Sequence, residues 1–222
     1  MCTGTYMCTR TRSLCLFEEG LILTSSCENS LSFSLTMGNS KTTLPTLVLD
    51  LDETLVHASP RPGPSSSFKI YVEQDTGSPS IPFYISERPH LNSFIKTVSQ
   101  MYRIVIFTAS RSRYADKVID QIDPYGAVSM RLYRQDCTRS GSTRFAKNLS
   151  RFDKDLRRVI LLDNSEDSFA LQPNNGILIK AWYGGNRNDD TELLDVIPFL
   201  EILSSCKDVR SILSRRRRKK KN

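Results

Sequence analysis

Three short apolar runs, each cut off by a polar triplet, constrain this chain more than anything else in it. Thr46-Leu47-Val48-Leu49 gives way to Asp50-Leu51-Asp52, Arg103-Ile104-Val105-Ile106-Phe107 to Thr108-Ala109-Ser110, and Val159-Ile160-Leu161-Leu162 to Asp163-Asn164-Ser165. Continuous apolar runs of this length read as strands buried on both faces of a parallel sheet. Between and after them apolar residues recur at helical spacing: Leu91, Phe94, Ile95, Val98 and Met101; Tyr114, Val118, Ile119 and Ile122; Leu193, Leu194, Ile197, Leu200 and Leu203. Strands alternating with helices predict an α/β fold with a doubly wound, mostly parallel sheet. Ligands of such sheets bind outside the carboxyl ends of the strands, so the three triplets should meet at one edge.

The connecting segments are small. Residues 68–72 and 81–85 look extended and flank a turn-rich stretch, which predicts an inserted β-hairpin rather than a large cap domain. A short strand is expected at 131–134, a loop over 137–144, a strand at 177–180 and a short helix at 209–213. Residues 1–43 are rich in Ser, Thr and Cys without a sustained period and read as a disordered leader. Its faint likeness to a secretory signal is broken by Glu18 and Glu19. One domain is expected over 44–214, followed by a basic tail over 215–222.

The formal net charge is +7, and Arg215-Arg216-Arg217-Arg218-Lys219-Lys220-Lys221 supplies seven positive charges, leaving the remainder near neutral. The fold itself is therefore not expected to bind nucleic acid specifically. The tail suits nuclear import or an anionic membrane surface. The six cysteines form no CxxC pair, and four lie in the leader. Neither a disulfide framework nor a zinc site is expected, and a reducing compartment fits. No run of about eighteen apolar residues occurs, as a membrane-spanning helix would need.

Asp50 and Asp52 at the end of one strand repel each other unless a cation lies between them or one keeps its proton. Two or more acids with the side-chain carbonyl of Asn164 suit Mg²⁺, which takes oxygen ligands and keeps waters. Thr108 can hydrogen-bond a phosphoryl oxygen, and Lys147, in Phe145-Ala146-Lys147-Asn148, is the candidate to offset its charge.

The run Asp50-Leu51-Asp52-Glu53-Thr54-Leu55-Val56-His57 resembles the first motif of the haloacid dehalogenase superfamily (HAD-like fold), and more narrowly the phosphatases of the RNA polymerase II C-terminal domain. Ile106-Phe107-Thr108-Ala109-Ser110, Tyr114-Ala115-Asp116, Tyr133-Arg134-Gln135-Asp136-Cys137, Leu162-Asp163-Asn164-Ser165 and Gln172-Pro173-Asn174-Asn175-Gly176 continue the likeness in order. It covers residues 44–213 and fits the small branch without a BRCT domain, leaning towards its nuclear-envelope, Dullard-like members.

The resemblance implies a Mg²⁺-dependent protein serine/threonine phosphatase with Asp50 as nucleophile and Asp52 as general acid and base. It further implies a metal held by Asp50, the Asp52 backbone carbonyl and Asn164, with Asp163 close by or acting through water. Thr108 and Lys147 would hold the phosphoryl group, with Thr54, Tyr114 and Arg134 nearer the substrate. The implied partner is a phosphorylated protein such as the RNA polymerase II C-terminal domain, and the implied location the nucleus, with the nuclear envelope, ER surface or cytoplasm as alternatives. A phosphatase of a lipid-metabolism regulator and a non-catalytic, Tim50-like binding domain are the alternative functions. Asn148, Glu166 and Gly184-Gly185 depart from the family pattern near the expected site. On the hairpin, Phe68, Tyr71, Phe83 and Tyr84 are the aromatics available to the wall of a groove suited to proline-containing peptides, and because alternate strand residues face opposite ways only some of them are expected to line it.

Overall fold

The computed structural model describes residues 44–221 apart from 75–76, 141–143, 152 and 186–188. The expected leader lies outside the described residues. In chain order the elements are β1 (Thr46–Leu49), β2 (Val56–Ser59), β3 (Phe68–Val72), β4 (Ile81–Glu87), α1 (Leu91–Val98), β5 (Arg103–Phe107), α2 (Ser112–Ile122), β6 (Val128–Leu132), β7 (Thr138–Ser140), β8 (Arg144–Ala146), β9 (Val159–Asp163), β10 (Gly176–Leu178), α3 (Glu192–Ser204) and α4 (Arg210–Lys221).

Alternation along β1 decides which layer each side chain joins. Leu47 and Leu49 fall into one core with the buried faces of α1, α2 and α3 and with Val209 and Leu213, whereas Val48 joins a second core on the opposite face. Full burial of each such aliphatic side chain stabilises by about 1.5–3 kcal/mol. The sheet is parallel throughout, in the order β10-β9-β1-β5-β6, with β1 at its centre. The chain steps outward from β1 to β6, then crosses to β9 and β10 on the other side, which is the doubly wound plan. The crossings over the second face are short, and Leu149 and Phe169 from 3-10 turns cover Val48, Val105 and Leu161 there. Gly176 lies against Phe169 so closely that a Cβ would stand 2.4 Å from the ring.

The inserted hairpin is larger than expected. β2 joins it to give an antiparallel sheet in the order β2-β4-β3. β6 lies earlier than the expected strand at 131–134, because Arg134 already opens a 3-10 turn. The expected loop at 137–144 contains β7, paired to β8 as a second hairpin. The expected short helix at 209–213 continues through the basic run to Lys221, so the backbone shows no break between domain and tail. Among the described residues no helix is long and apolar enough to cross a membrane.

One buried cation ties the insert to the sheet. The Arg88 guanidinium, 1 % exposed, donates to the Thr54 carbonyl at 3.0 Å, the Lys180 carbonyl at 2.9 Å and both oxygens of Asp190 at 2.8 and 2.9 Å.

Candidate active site

The first residue of each triplet is still held by the sheet. Asp50 N–H donates to the Leu162 carbonyl, Thr108 N–H to the Leu132 carbonyl, and the Asp163 carbonyl accepts from Ile179 N–H, each at 3.0 Å. Three side chains are thereby fixed at the carboxyl edge of three strands. After Asp50 the chain turns sharply, with Leu55 N–H donating to the Leu51 carbonyl at 2.9 Å and Glu53 in the left-handed region at φ 57°. That turn brings Thr54 back beneath the strand end, where its hydroxyl donates to Asp50 Oδ2 at 3.0 Å.

Lys147, placed just after β8, reaches into this edge with 1 % exposure. Its ammonium donates to Asp50 Oδ1 at 2.5 Å and to Asp163 Oδ2 at 2.6 Å. Burial opposes the ammonium charge, but the two carboxylates outweigh it and raise the Lys147 pKa. For Asp50, burial and then repulsion from Asp163 push the carboxyl up to about 7, against the pull of Lys147. The floor thus holds two buried carboxylates for one ammonium.

Asp52 sits at the mouth of the cluster, half-buried. Tyr114 donates its hydroxyl to Asp52 Oδ1 at 2.5 Å, Ser110 to Oδ2 at 2.6 Å, and Thr108 to Oδ2 at 3.4 Å. Beyond it opens a groove of about 650 Å³ that Val72, Ile81, Phe83, Tyr114, Arg111 and Arg134 help to line. Phe83 meets Tyr114 edge-on at 5.7 Å between ring centres. Of the four hairpin aromatics, Phe83 lines it. Phe68 packs on the core, and Lys69 is drawn between the rings of Tyr71 and Tyr84, 4.9 and 5.9 Å from their centres, on the outer face. Strand alternation separates the two sets.

Asp50, Asp52, Thr54, Thr108, Tyr114, Lys147, Asp163 and Asn164 are therefore brought together. Arg134 stands at the groove rim, exposed, its Nε donating to the Ala109 carbonyl at 2.5 Å and its guanidinium 5.4 Å from the Phe145 ring centre. Asn148 turns away from the cluster and accepts from Gln172 Nε2 at 3.0 Å and Ser150 N–H at 3.1 Å. Ser110 was not among the sequence candidates, although it is the third member of a triplet whose first member was. Arg88 carried no sequence signal, and only burial reveals it.

The donor set fits a hard cation. Asp50 Oδ2 and Asn164 Oδ1 both lie close to the Thr54 hydroxyl, at 3.0 and 3.3 Å, so two oxygens converge where that hydroxyl can satisfy one. The surplus negative charge of the floor points the same way. Among the described residues no three His, Cys, Asp or Glu side chains form a cage. Mg²⁺ needs none, since it binds through one or two carboxylates and keeps its waters.

The profile of the NLI interacting factor-like phosphatases matches residues 45–210. The chain is 41 % identical over 167 residues to the human carboxy-terminal domain RNA polymerase II polypeptide A small phosphatase 1, covering 75 % of this chain and 62 % of that protein. It is 41 % identical over 179 residues to a CTD nuclear envelope phosphatase 1 homolog of Drosophila pseudoobscura pseudoobscura, covering 77 % of this chain and 72 % of that one. The solved fission yeast RNA polymerase II CTD phosphatase, bound to beryllium fluoride, superposes with a TM-score of 0.53 at 25 % identity, over 76 % of this chain and 54 % of that chain. Several of the curated relatives, including the first human one, are thus matched over less than two thirds of their length.

Proposed function

Since this chain belongs to the NLI interacting factor-like phosphatase family, we propose that it is a Mg²⁺-dependent protein serine/threonine phosphatase working through a phospho-aspartate at Asp50. The observation that carries this is the buried Asp50–Lys147–Asp163 cluster with Asp52 at its open mouth. The Asp50 carboxylate attacks phosphorus, and the bond from phosphorus to the Ser or Thr oxygen breaks. Asp52 gives its proton to the departing oxygen. It then takes a proton from the water that cleaves the acyl phosphate, restoring Asp50 and releasing inorganic phosphate. Lys147 and Thr108 hold phosphoryl oxygens in a site where burial strengthens every charge. Mg²⁺, held by Asp50, the Asp52 carbonyl and Asn164 with Asp163 close by, would supply neutralising charge to the phosphoryl group.

The groove is not covered by any large insert among the described residues, which suits an extended polypeptide. Its apolar wall of Val72, Ile81, Phe83 and Tyr114 suits a proline beside the phosphoserine, since an extended proline segment costs little ordering entropy. The RNA polymerase II C-terminal domain and a lipid-metabolism regulator at the nuclear envelope are the two substrate readings, with the nucleus or its envelope as location. The helical basic run of α4 favours a place near an anionic surface. The complete charge apparatus around Asp50 disfavours a Tim50-like binder.

kcat/KM should be compared for phosphoserine-proline peptides, phosphotyrosine peptides and sugar phosphates, with and without Mg²⁺. The first class should be hydrolysed far better, and only with Mg²⁺. Equal turnover of a sugar phosphate would sink the protein-phosphatase reading.

A further inference from the structure

We propose that Arg88 is a positioning residue for the Asp50 site, acting through Thr54, whose hydroxyl it sets between the oxygens of Asp50 and Asn164. This rests on the phosphatase reading of that site. The turn after β1 satisfies its own amides with the carbonyls of Leu51 and Val56: Leu55 and Val56 N–H donate to Leu51 at 2.9 and 3.1 Å, and Glu53 N–H to Val56 at 2.7 Å. The three carbonyls between are held from outside the turn. Glu53 accepts from Trp182 N–H at 2.9 Å, Thr54 from the Arg88 guanidinium at 3.0 Å and Leu55 from Arg88 N–H at 3.0 Å. A second guanidinium nitrogen donates to the Lys180 carbonyl at 2.9 Å, two residues before Trp182. One planar group therefore fixes both the turn and the segment that grips it. Thr54 Oγ1 lies 3.0 Å from Asp50 Oδ2 and 3.3 Å from Asn164 Oδ1. A hydroxyl has a single proton to give, so its position sets the spacing of two oxygens proposed to face Mg²⁺.

Stability alone does not account for such a group. A buried ion pair is often no better for stability than apolar side chains of the same volume. Yet Arg88 is buried, and Asp190 matches its fork through both carboxylate oxygens at 2.8 and 2.9 Å. What a guanidinium adds is geometry: five donors in fixed directions and a charge that does not titrate. Lysine would keep the charge and lose the fork. The lever here is short, because Arg88 holds the carbonyl of the very residue whose hydroxyl touches Asp50. With that carbonyl fixed, the peptide plane after Thr54 cannot rotate, and the hydroxyl keeps its aim. Partners that orient metal ligands from behind are commonly worth about 10–100-fold in metal affinity or activity. A misplacement of about 1 Å at a reacting group can cost about 10²-fold.

The test titrates Mg²⁺ into the full chain by calorimetry, and separately follows turnover of a phosphoserine-proline peptide. Arg88→Lys should weaken Mg²⁺ affinity about tenfold and lower kcat, with the peptide KM moving less than about twofold. Asp190→Asn keeps the shape of the pair and should shift Mg²⁺ affinity in the same direction, which serves where Arg88→Lys does not fold. A Thr54→Val background decides the route. In it either substitution should change Mg²⁺ affinity by less than about twofold, since the lever has nothing left to aim. Loss of folded protein alone would reduce the number of sites and leave the affinity of the remainder in place. Mg²⁺ affinity unchanged in both variants, or shifts that add in full to that of Thr54→Val, would overturn the positioning role. A weakened affinity alongside a wild type that turns over no phosphopeptide would sink the phosphatase reading alone.

Discussion

Asp50 and Asp52 are two residues apart in the chain, yet they occupy different worlds. Asp50 is 6 % exposed and held by an ammonium on one oxygen and a hydroxyl on the other. Asp52 faces the groove and is held by hydroxyls alone. The tight turn at 51–56 makes this difference, leaving one carboxylate on the strand end and the next beyond it. In the proposed mechanism the buried group attacks phosphorus and the group at the mouth serves the leaving oxygen and the water, so the division of labour follows depth.

The largest break in that contrast is at Asp50, the proposed nucleophile. Asp50→Asn should abolish turnover with the fold intact, and it should also weaken Mg²⁺ binding. Asp52→Asn should cost about 10²–10⁴-fold in kcat while leaving Mg²⁺ affinity nearly unchanged, because only its backbone is expected to touch the metal. Titration with Mg²⁺ under both substitutions separates the roles, and equal metal defects would refute the division.

Next comes the floor itself. Lys147→Met removes the single cation between two buried carboxylates and should lower stability by about 3–5 kcal/mol, read from urea denaturation without Mg²⁺. A change below about 1 kcal/mol would mean that the pair is screened by water.

The same floor sets a pH signature in the presence of a chelator. Asp50 is raised from 3.8 to about 7, so between those values the folded form keeps a proton that the unfolded chain releases. Stability should therefore fall as pH rises from about 4 to 7, and Asp50→Asn should flatten the slope. Stability rising across that window, or a slope untouched by Asp50→Asn, would contradict it.

The smallest effect belongs to the mouth. Tyr114→Phe deletes one of three hydroxyl contacts to Asp52 and should lower kcat by about tenfold at most, with stability little changed.

Much of this was legible in the sequence. The strands β1, β5 and β9 announced themselves because burial on both faces leaves unbroken apolar runs, and the triplets after them marked the edge of the candidate site. Lys147 was a candidate from the need for a cation beside the acids, but nothing local distinguishes it from a surface lysine, and the resemblance strengthened the choice. The β7–β8 hairpin was missed because its strands are three residues each, too short to show a period. The continuation of α4 through the basic run was missed for a different reason. Like charges disfavour a helix locally, and contacts such as the Arg216 guanidinium 4.2 Å from the Phe199 ring centre are tertiary. Strand alternation meant that only some hairpin aromatics could line the groove, but which ones was not legible, because register, not composition, selects the face.

Arg88 has a consequence for the order in which the protein is made. Its counter-charge, Asp190, lies 102 residues downstream, past every strand of the sheet. A chain ending at β10 holds the groups around Asp50 and the Thr54 carbonyl that accepts from this guanidinium, but not its counter-charge, and the guanidinium cannot shed its own charge. A chain truncated before Asp190 should therefore bury that charge against carbonyls alone and hold the insert less firmly against the turn after Asp50.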